Sequence, residues 1–474
     1  MWTNCPKTMA AHSRREFLTR SALGFGALAG NVMANPYARR SQHFAAKGKS
    51  VIFLFMHGGP SHLDTFDPKP ELNRLHGQPI PKSFGKVDFQ FSNMERTPLM
   101  GSPRRFRKRG QSGVEISDLF EHTAAHADEL AVIRSCHHDG FTHVTGQTWM
   151  NTGWSRVGRP SVGSWVVYGL GNESDNLPSY VVMLDGGIKA GAPAYGSGFL
   201  PAAYQGTVLR SEGPPILNIK RPEGISGKEQ ETMLAVLREM NETHRAPRAE
   251  DTELAARMAS YELAFKMQMS VPEVTDLGAE SEATRKLYGM DEEITAEFGR
   301  ECLLARRLVE KGVRFVELLT PARPGLDRWD QHSGIENGHR INARSVDKPI
   351  AGLLRDLKGR GLLKDTLVIW GGEFGRTPCA QIPDNGDRSR VGRDHNPYGF
   401  TMWMAGGGVK GGMVYGATDE YGYFAVENKV HVHDLHATML HLLGLDHKRL
   451  TYRYSGRDMR LTDVHGNVVK EILG

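Results

Sequence analysis

Cysteine is scarce in this chain of 474 residues. Only four occur, and the three beyond the N-terminal segment are Cys136, Cys302 and Cys379. Three widely spaced cysteines form neither a disulfide framework nor a cysteine-rich zinc motif. The fold must therefore be held together by its hydrophobic core, and a chain of this length can build one large domain or two.

Long hydrophobic runs are also missing. No run of eighteen apolar residues follows the N-terminus, so the sequence predicts no stable membrane span. Residues 1–34 differ in character, because the pair Arg14 and Arg15 precedes a weakly apolar stretch that ends at Ala34. This segment resembles a bacterial twin-arginine signal peptide. It implies export by the twin-arginine machinery to the periplasm or the extracellular space.

Charge of one sign does not dominate either. Without residues 1–34 the chain carries 55 basic and 53 acidic side chains, a net charge of +2. A nearly neutral chain gives no support to nucleic-acid binding. One local run, PRRFRKRG at 103–110, is basic. We predict a solvated loop there, with contact to an acidic polymer as the alternative.

Segments with strand and helix patterns alternate along the chain. Strands are predicted at 51–55, 131–135, 179–185, 312–319, 366–372 and 400–408, and helices at 117–130, 161–171, 342–360 and 431–445. A loop and helical insertion is predicted at about 186–310 within a domain that spans 50–474. This alternation predicts an α/β fold with a mainly parallel sheet covered on both faces.

Histidine is plentiful, with 20 in the chain, and four polar clusters follow predicted strands. The clusters span residues 57–67, 136–153, 325–334 and 371–378, and the last is extended by 392–399. Loops at the carboxyl ends of parallel strands meet at one edge of the sheet, so we expect one shared site. Imidazole and carboxylate ligands suit zinc, manganese or a similar divalent ion. One or two such ions could polarise a phosphoryl or sulfuryl group.

Six short motifs occur in a fixed order from about residue 50 to the C-terminus. They are HGGPSHLDTFDPKP, MNTG, WDQH, GEFGRTP, GRDHNPYGF and HDLHATMLHLLGLDH. Together they resemble an exported sulfatase-like family, catalogued as a domain of unknown function, in the alkaline-phosphatase superfamily. The resemblance implies an alkaline-phosphatase-like α/β/α sandwich with metals at the strand ends. The candidate metal ligands are His57, Asp64, Asp330, His332, Glu373, Asp394 and His395.

Three features of the candidate site stay open at this stage. Asp327 is a rival to Asp330, and His433 and His436 in the last motif could also face the site. Phe374 follows Glu373 where alkaline phosphatases have a metal-binding histidine, so one metal site is thinner or absent.

The catalytic position departs from the superfamily pattern. Counting back from the Thr-Gly pair at Gly153 reaches His143 instead of a hydroxyl or thiol nucleophile. His143 would be a general acid/base, a metal ligand or a covalent acceptor, with activated water as the alternative nucleophile. The flanking Thr142 and Thr145 are further catalytic candidates. The Cys/Ser-x-Pro-x-Arg sequence needed for formylglycine does not occur, which excludes a formylglycine sulfatase.

Two function hypotheses follow from these patterns. The first is a metal-dependent hydrolase of phosphate or sulfate esters that acts on an anionic substrate such as a sulfated or phosphorylated glycan. Arg376 and Arg393 would hold the anionic group, with structural salt bridges as the alternative role. The second hypothesis is a non-catalytic exported binding protein on the same fold.

Overall fold

The computed structural model describes residues 38–474 apart from 82–83, 85–87, 89–96, 211–214, 217–220, 222, 246, 248–251, 323–326 and 384. The predicted signal peptide at 1–34 lies outside the described residues. The strands are β1 (Ser50–Phe55), β2 (Phe106–Arg109), β3 (Val114–Ser117), β4 (Leu130–His137), β5 (Tyr180–Met183), β6 (Thr207–Leu209), β7 (Phe315–Leu319), β8 (Thr366–Gly371), β9 (Gly375–Arg376), β10 (His395–Asn396), β11 (Phe400–Ala405), β12 (Met413–Tyr415), β13 (Ala417–Thr418), β14 (Ala425–Glu427), β15 (Val430–His431), β16 (Tyr452–Tyr454) and β17 (Arg457–Met459).

The helices alternate with the strands of the main sheet, as the sequence predicts. They are α1 (His62–Thr65), α2 (Pro70–Arg74), α3 (His143–Thr152), α4 (Val162–Leu170), α5 (Gly227–Arg245), α6 (Thr252–Thr275), α7 (Glu282–Leu287), α8 (Glu293–Glu310), α9 (Ile335–Gly359) and α10 (Val432–Leu442). No helix among these is long and apolar enough to cross a bilayer.

A nine-stranded sheet forms the centre of the molecule. Its strand order is β12-β4-β11-β8-β1-β7-β5-β6, and β15 also pairs with β4. All neighbours are parallel except β11, which runs antiparallel to both β4 and β8. Parallel strands need covering layers on both faces, and every residue of β1 is buried. The predicted α/β fold with a mainly parallel sheet is confirmed.

Two hydrophobic cores lie on opposite faces of this sheet. Alternate residues of β1 point to opposite sides, so Ile52 packs in one core with α8 and α9, whereas Phe53 packs in the other. The second core also contains α4 and α10, for example through Leu442. Helical layers on both faces make the molecule an α/β/α sandwich.

Four local predictions differ from the structure. The basic run forms strand β2 of a hairpin with β3 instead of a loop, because pairing with β3 satisfies its backbone groups. The segment predicted as a helix at 117–130 forms a 3₁₀ helix over Thr123–Glu129 with a kink at His126. Strand β6 lies within the predicted loop after 186 and pairs with β5. Helix α9 begins at Ile335 instead of 342.

Candidate metal centre

The four polar clusters meet at one edge of the sheet. His57 follows β1, Asp330 and His332 follow β7, and Glu373 follows β8. His143 begins α3, the helix after β4, and His395 lies in the short β10 before β11. Because β11 runs antiparallel, its start lies at the edge where its parallel neighbours end. The fold thus brings together residues that are up to 338 positions apart in the chain.

Four of these side chains converge on one point. Their ligand atoms lie within 4.8 Å of one another, and the residues are His143, Asp330, His332 and His395. The His332 and His395 Nε2 atoms are 3.0 Å apart. Asp330 Oδ1 lies 3.0 Å from His332 Nε2 and 3.3 Å from His395 Nε2, and Asp330 Oδ2 lies 2.7 Å from His143 Nε2. Asp327 is exposed and lies outside this group, so Asp330 is the carboxylate that faces the histidines.

Each of the three histidines has an oxygen atom within hydrogen-bond distance of Nδ1, its outer nitrogen, which points away from the convergence point. His143 Nδ1 lies 2.7 Å from Glu373 Oε1, His332 Nδ1 2.6 Å from Gln381 Oε1, and His395 Nδ1 2.9 Å from the Phe141 carbonyl. A neutral imidazole that donates from Nδ1 presents a lone pair at Nε2. Oxygen partners at the outer nitrogen are typical of metal-binding histidines.

The inward nitrogens therefore need a cation. Two Nε2 lone pairs at 3.0 Å cannot hydrogen-bond to each other, and His143 Nε2 is buried without a partner in hydrogen-bond geometry. Burial, together with the charge of Arg376, lowers the pKa of His395 to about 3, although Asp330 opposes this. His395 is then neutral at ordinary pH, as a metal ligand must be. Three imidazoles and one carboxylate fit a zinc-type ion.

Glu373 is fully buried beside this group. Its carboxylate accepts hydrogen bonds from the Gly58 backbone N–H at 3.0 Å and from Gln147 Nε2 at 3.0 Å, besides its contact with His143. Burial alone would raise the pKa of Glu373, but the hydrogen bond and charge of His143, with His57, hold it at about 2. Glu373 therefore orients His143 from outside the four converging residues.

His57, like Glu373, contacts Gln147 and lies outside the four converging residues. Its Nε2 is 3.3 Å from Gln147 Nε2, and its buried Nδ1 has no hydrogen-bond partner. Burial lowers the pKa of His57 to about 4, so its ring is neutral. Phe374 packs its ring against His395, with ring centroids 4.3 Å apart, and so fills space that a further histidine would occupy.

Two other predicted ligands lie in neighbouring networks. Asp64 bonds to Arg393 Nε at 3.1 Å, to Ser61 at 2.6 Å and to Ser102 at 2.6 Å. Asp394 accepts a hydrogen bond from the His395 backbone N–H at 2.8 Å. Both carboxylates hold loops around the centre instead of joining the four converging residues.

The two predicted substrate-binding arginines are completely buried. Arg376 donates to the Gly59 carbonyl at 2.9 Å and to Asp330 Oδ1 at 2.9 Å, and it also bonds to the Gly58 carbonyl. Arg393 donates to Asp64 and to the Thr377 carbonyl. Neither guanidinium is open to an anionic ester, so in the structure these arginines have the structural role that the sequence left as the alternative.

Gly58 allows the loop after β1 to lie close to the loop that carries Asp330, so that Arg376 can bond to both. Its φ is +110°, and a Cβ atom there would lie 2.6 Å from the Asp330 nitrogen. Any larger residue would push the loop after β1 away from the loop that carries Asp330.

Thr142 and Thr145 form the N-terminal cap of α3. The Thr142 side chain accepts from the Thr145 N–H, and the Thr142 N–H donates to Thr145 Oγ1 at 3.1 Å. The two hydroxyl groups are 3.0 Å apart. A capping box uses both hydroxyls to satisfy the helix end, and it fixes His143 as the first helical residue.

His433 and His436 do not reach the centre. Each uses Nε2 to hydrogen-bond a carbonyl near the end of α3, at Gly153 and Met150 respectively, over 2.8 Å. They attach α10 to α3.

Two residues at the centre, Lys189 and Gln147, were not predicted from the sequence. Lys189 Nζ lies 2.9 Å from Asp330 Oδ2 and 3.2 Å from Asp327 Oδ2, and its side chain is 36% exposed. It comes from a loop without periodicity, so no pattern could have marked it. Gln147 could have been found, because it is four residues after His143 and shares its face of α3.

An open cleft of about 840 Å³ lies beside the centre. Asp330 and His332 form part of its wall, so a ligand in the cleft can reach the converging residues. Arg104, Arg340 and Arg390 also line it, and so do Asp64, Asp327 and Glu336. The cleft therefore has side chains of both charges next to the candidate metal ligands, with Arg104 paired to Glu336 at 3.5 Å.

Fold and site together define an α/β/α protein with a histidine and carboxylate centre suited to a divalent ion. The chain belongs to the family described as protein of unknown function (DUF1501), whose model matches residues 48–473. The predicted family is confirmed. No curated protein matches the chain.

Several solved structures are similar to this chain over most of its length. PsFucS1 sulfatase from Pseudoalteromonas sp. is 10% identical with a TM-score of 0.35, over 92% of this chain and 72% of its own. Alkaline phosphatase from the Antarctic bacterium TAB5 is 10% identical with a TM-score of 0.35, over 85% and 99%. Lipoteichoic acid synthase LtaP from Listeria monocytogenes is 10% identical with a TM-score of 0.34, over 92% and 80%. The α/β/α assignment rests on the sheet and its two cores.

Proposed function

We propose that the protein is an exported, metal-dependent hydrolase of phosphate or sulfate esters. The observation that carries this proposal is the convergence of three Nε2 atoms and Asp330 on one point, with an oxygen atom at each outer nitrogen. His143, Asp330, His332 and His395 would hold the ion. A bound divalent ion supplies Lewis-acid polarisation of an ester oxygen and lowers the pKa of water.

The chain's own residues would position the substrate. The Lys189 ammonium is half-exposed beside Asp330 and can donate to an anionic ester oxygen. Thr142 and Thr145 use their hydroxyls in the helix cap, and His143 has contacts at both nitrogens. We therefore infer that water attacks the ester, in preference to a side-chain nucleophile.

The substrate we propose is a sulfated or phosphorylated glycan. Arg104 stands in the cleft wall at the start of the basic run 103–110, and Arg107 and Lys108 follow it as exposed residues of β2. Arginine and lysine side chains that continue from the cleft can bind further anionic groups of a long substrate.

One observation favours the alternative, a binding protein without catalysis. Asp330 has Arg376 and Lys189 at 2.9 Å each, so cations of the chain itself already balance its charge. Such a site could hold an anion without a metal. We expect the protein to hydrolyse an aryl phosphate or an aryl sulfate. Removal of the metal ion with a chelator should stop this turnover, and added zinc or manganese should restore it. Metal-independent binding of inorganic phosphate, without turnover of either ester, would favour the binding protein.

Export by the twin-arginine pathway to the periplasm or beyond is part of the proposal. It depends on Arg14 and Arg15 in the first 34 residues. Changing both to Lys should leave the precursor in the cytoplasm. Unchanged export of that variant, measured by cell fractionation, would contradict the assignment.

A further inference from the structure

Helix α5 exposes a row of large apolar side chains. Met233, Val236, Leu237 and Met240 are 53%, 52%, 49% and 63% exposed. Their spacing of three, four and seven residues places them on one face of the helix. This face points to solvent among the described residues.

A different side of α5 attaches it to the protein. Gln230, Leu234 and Asn241 are half-buried and lie about a quarter turn away from the apolar row. Arg238 bonds to Glu262 of α6 at 2.6 Å. The apolar row is therefore not the face by which α5 packs on its own chain.

The concentration of apolar surface is unusual for this molecule. Of the thirteen exposed large hydrophobic side chains among the described residues, four lie within these eight positions, and Tyr261, beside Glu262 on α6, is a fifth on the same helix pair. Half-exposed side chains of this size give a patch on the order of 400 Å², which is in the range of functional patches on monomers.

We propose that this row, Met233 to Met240, binds the same row of a second copy of the chain in an antiparallel helix pair. The order Met-x-x-Val-Leu-x-x-Met keeps the same apolar positions when it is reversed, with only Val and Leu exchanged. A twofold axis between Val236 and Leu237 then places Met233 opposite Met240 of the second copy and Val236 opposite its Leu237. A self-complementary patch is what a twofold interface requires.

The area and the charges both fit a second copy. Two such patches and their flanks bury on the order of 1,000 Å², near the lower limit of a specific interface. Helix α5 carries four acidic side chains against three Lys and Arg. Helices that lie on lipid surfaces are instead rich in Lys and Arg on their polar face, so a membrane is the poorer occupant.

Cross-linking tests the twofold arrangement directly. Cys136, Cys302 and Cys379 are buried, so an added surface cysteine in a Cys5→Ser background is the only exposed thiol among the described residues. Val236→Cys should give an oxidised dimer in high yield, because the two copies of this position flank the axis. Val464→Cys, at a residue that is 66% exposed elsewhere, is the matched control and should give no disulfide-linked dimer.

Sedimentation velocity gives the second readout. The wild type should show a concentration-dependent dimer, which Leu237→Glu and Met240→Glu should each abolish without a change in melting temperature. Val464→Glu should leave the dimer intact. A wild type that is monomeric at its solubility limit would overturn the proposal, as would a dimer that both glutamate variants keep. Membrane vesicles that bind the wild type but not Leu237→Glu, with no dimer in solution, would also overturn it.

Discussion

The outer nitrogens of three histidines determine what the centre can do. Because His143, His332 and His395 each meet an oxygen atom at Nδ1, their Nε2 atoms face one another. Such a group is satisfied by a metal ion or by extra protons. Burial makes an extra proton costly on His395, whereas hydrogen bonds to Asp330 and Glu373 outweigh burial and raise the pKa of His143. The chemistry of this site thus depends on the outer partners as much as on the histidines.

Lys189 should affect substrate binding more than turnover. Lys189→Met removes an ammonium at 2.9 Å from Asp330, and a hydrogen bond to a charged group contributes about 1.5–3 kcal/mol. We expect KM for an aryl phosphate or sulfate to rise about tenfold or more, with a smaller change in kcat. Lys364→Met, on an exposed loop before β8, is the matched control. An unchanged KM would exclude Lys189 from substrate binding.

The residues of the centre could be predicted in part from the sequence. Asp330, His332 and His395 carry the chemistry expected of ligands; the first two follow a predicted strand, and His395 lies in the loop before another. Their partners could not be predicted, because Gln381 and the Phe141 carbonyl act only through position. The structural role of Arg376 depends on carbonyl groups that the fold places around it, and a sequence shows only that an arginine is present.

At the scale of elements, the start of α3 links stability to the site. The cap at Thr142 fixes the first turn, and His143 lies in that turn. The hydroxyl of Thr142 is therefore either a capping group, as the structure shows, or in addition a nucleophile.

Two substitutions at Thr142 separate these roles. Thr142→Val should lower the free energy of unfolding by about 1 kcal/mol, because the cap is lost. Thr142→Asn should keep stability, since Asn is a good N-cap, and should also keep activity. Loss of activity in a stable Thr142→Asn protein, measured with an aryl ester, would show that the hydroxyl takes part in the reaction.

Elements with a strong hydrophobic pattern could be predicted from the sequence, whereas strands that form only through pairing with a neighbouring strand could not. Strands β1 and β8 are largely apolar runs and β7 is apolar apart from Glu317, and the structure places the three side by side in the centre of the sheet. Strand β2 is basic and forms only because β3 pairs with it. The antiparallel direction of β11 is likewise a property of the assembled sheet.

At the scale of the whole molecule, the parallel sheet is what makes one site from distant segments. The loops after β1, β4, β7 and β8 share an edge because these strands run in the same direction. Family membership over residues 48–473 agrees with one continuous unit built around this sheet. The sequence alone could predict this gathering, because it follows from topology and not from contacts.

Metal analysis of the wild type beside His332→Ala tests the central claim most directly. The account predicts a bound divalent ion in the wild type and much less in His332→Ala, with secondary structure unchanged. Added zinc or manganese should raise the melting temperature of the wild type but not that of His332→Ala, since an ion at 100 times its Kd stabilises the folded state by about 2.7 kcal/mol. His447→Ala, whose Nδ1 bonds Thr462 at 2.9 Å away from the centre, should behave like the wild type. A wild type that contains no ion and binds neither added zinc nor manganese would contradict the account.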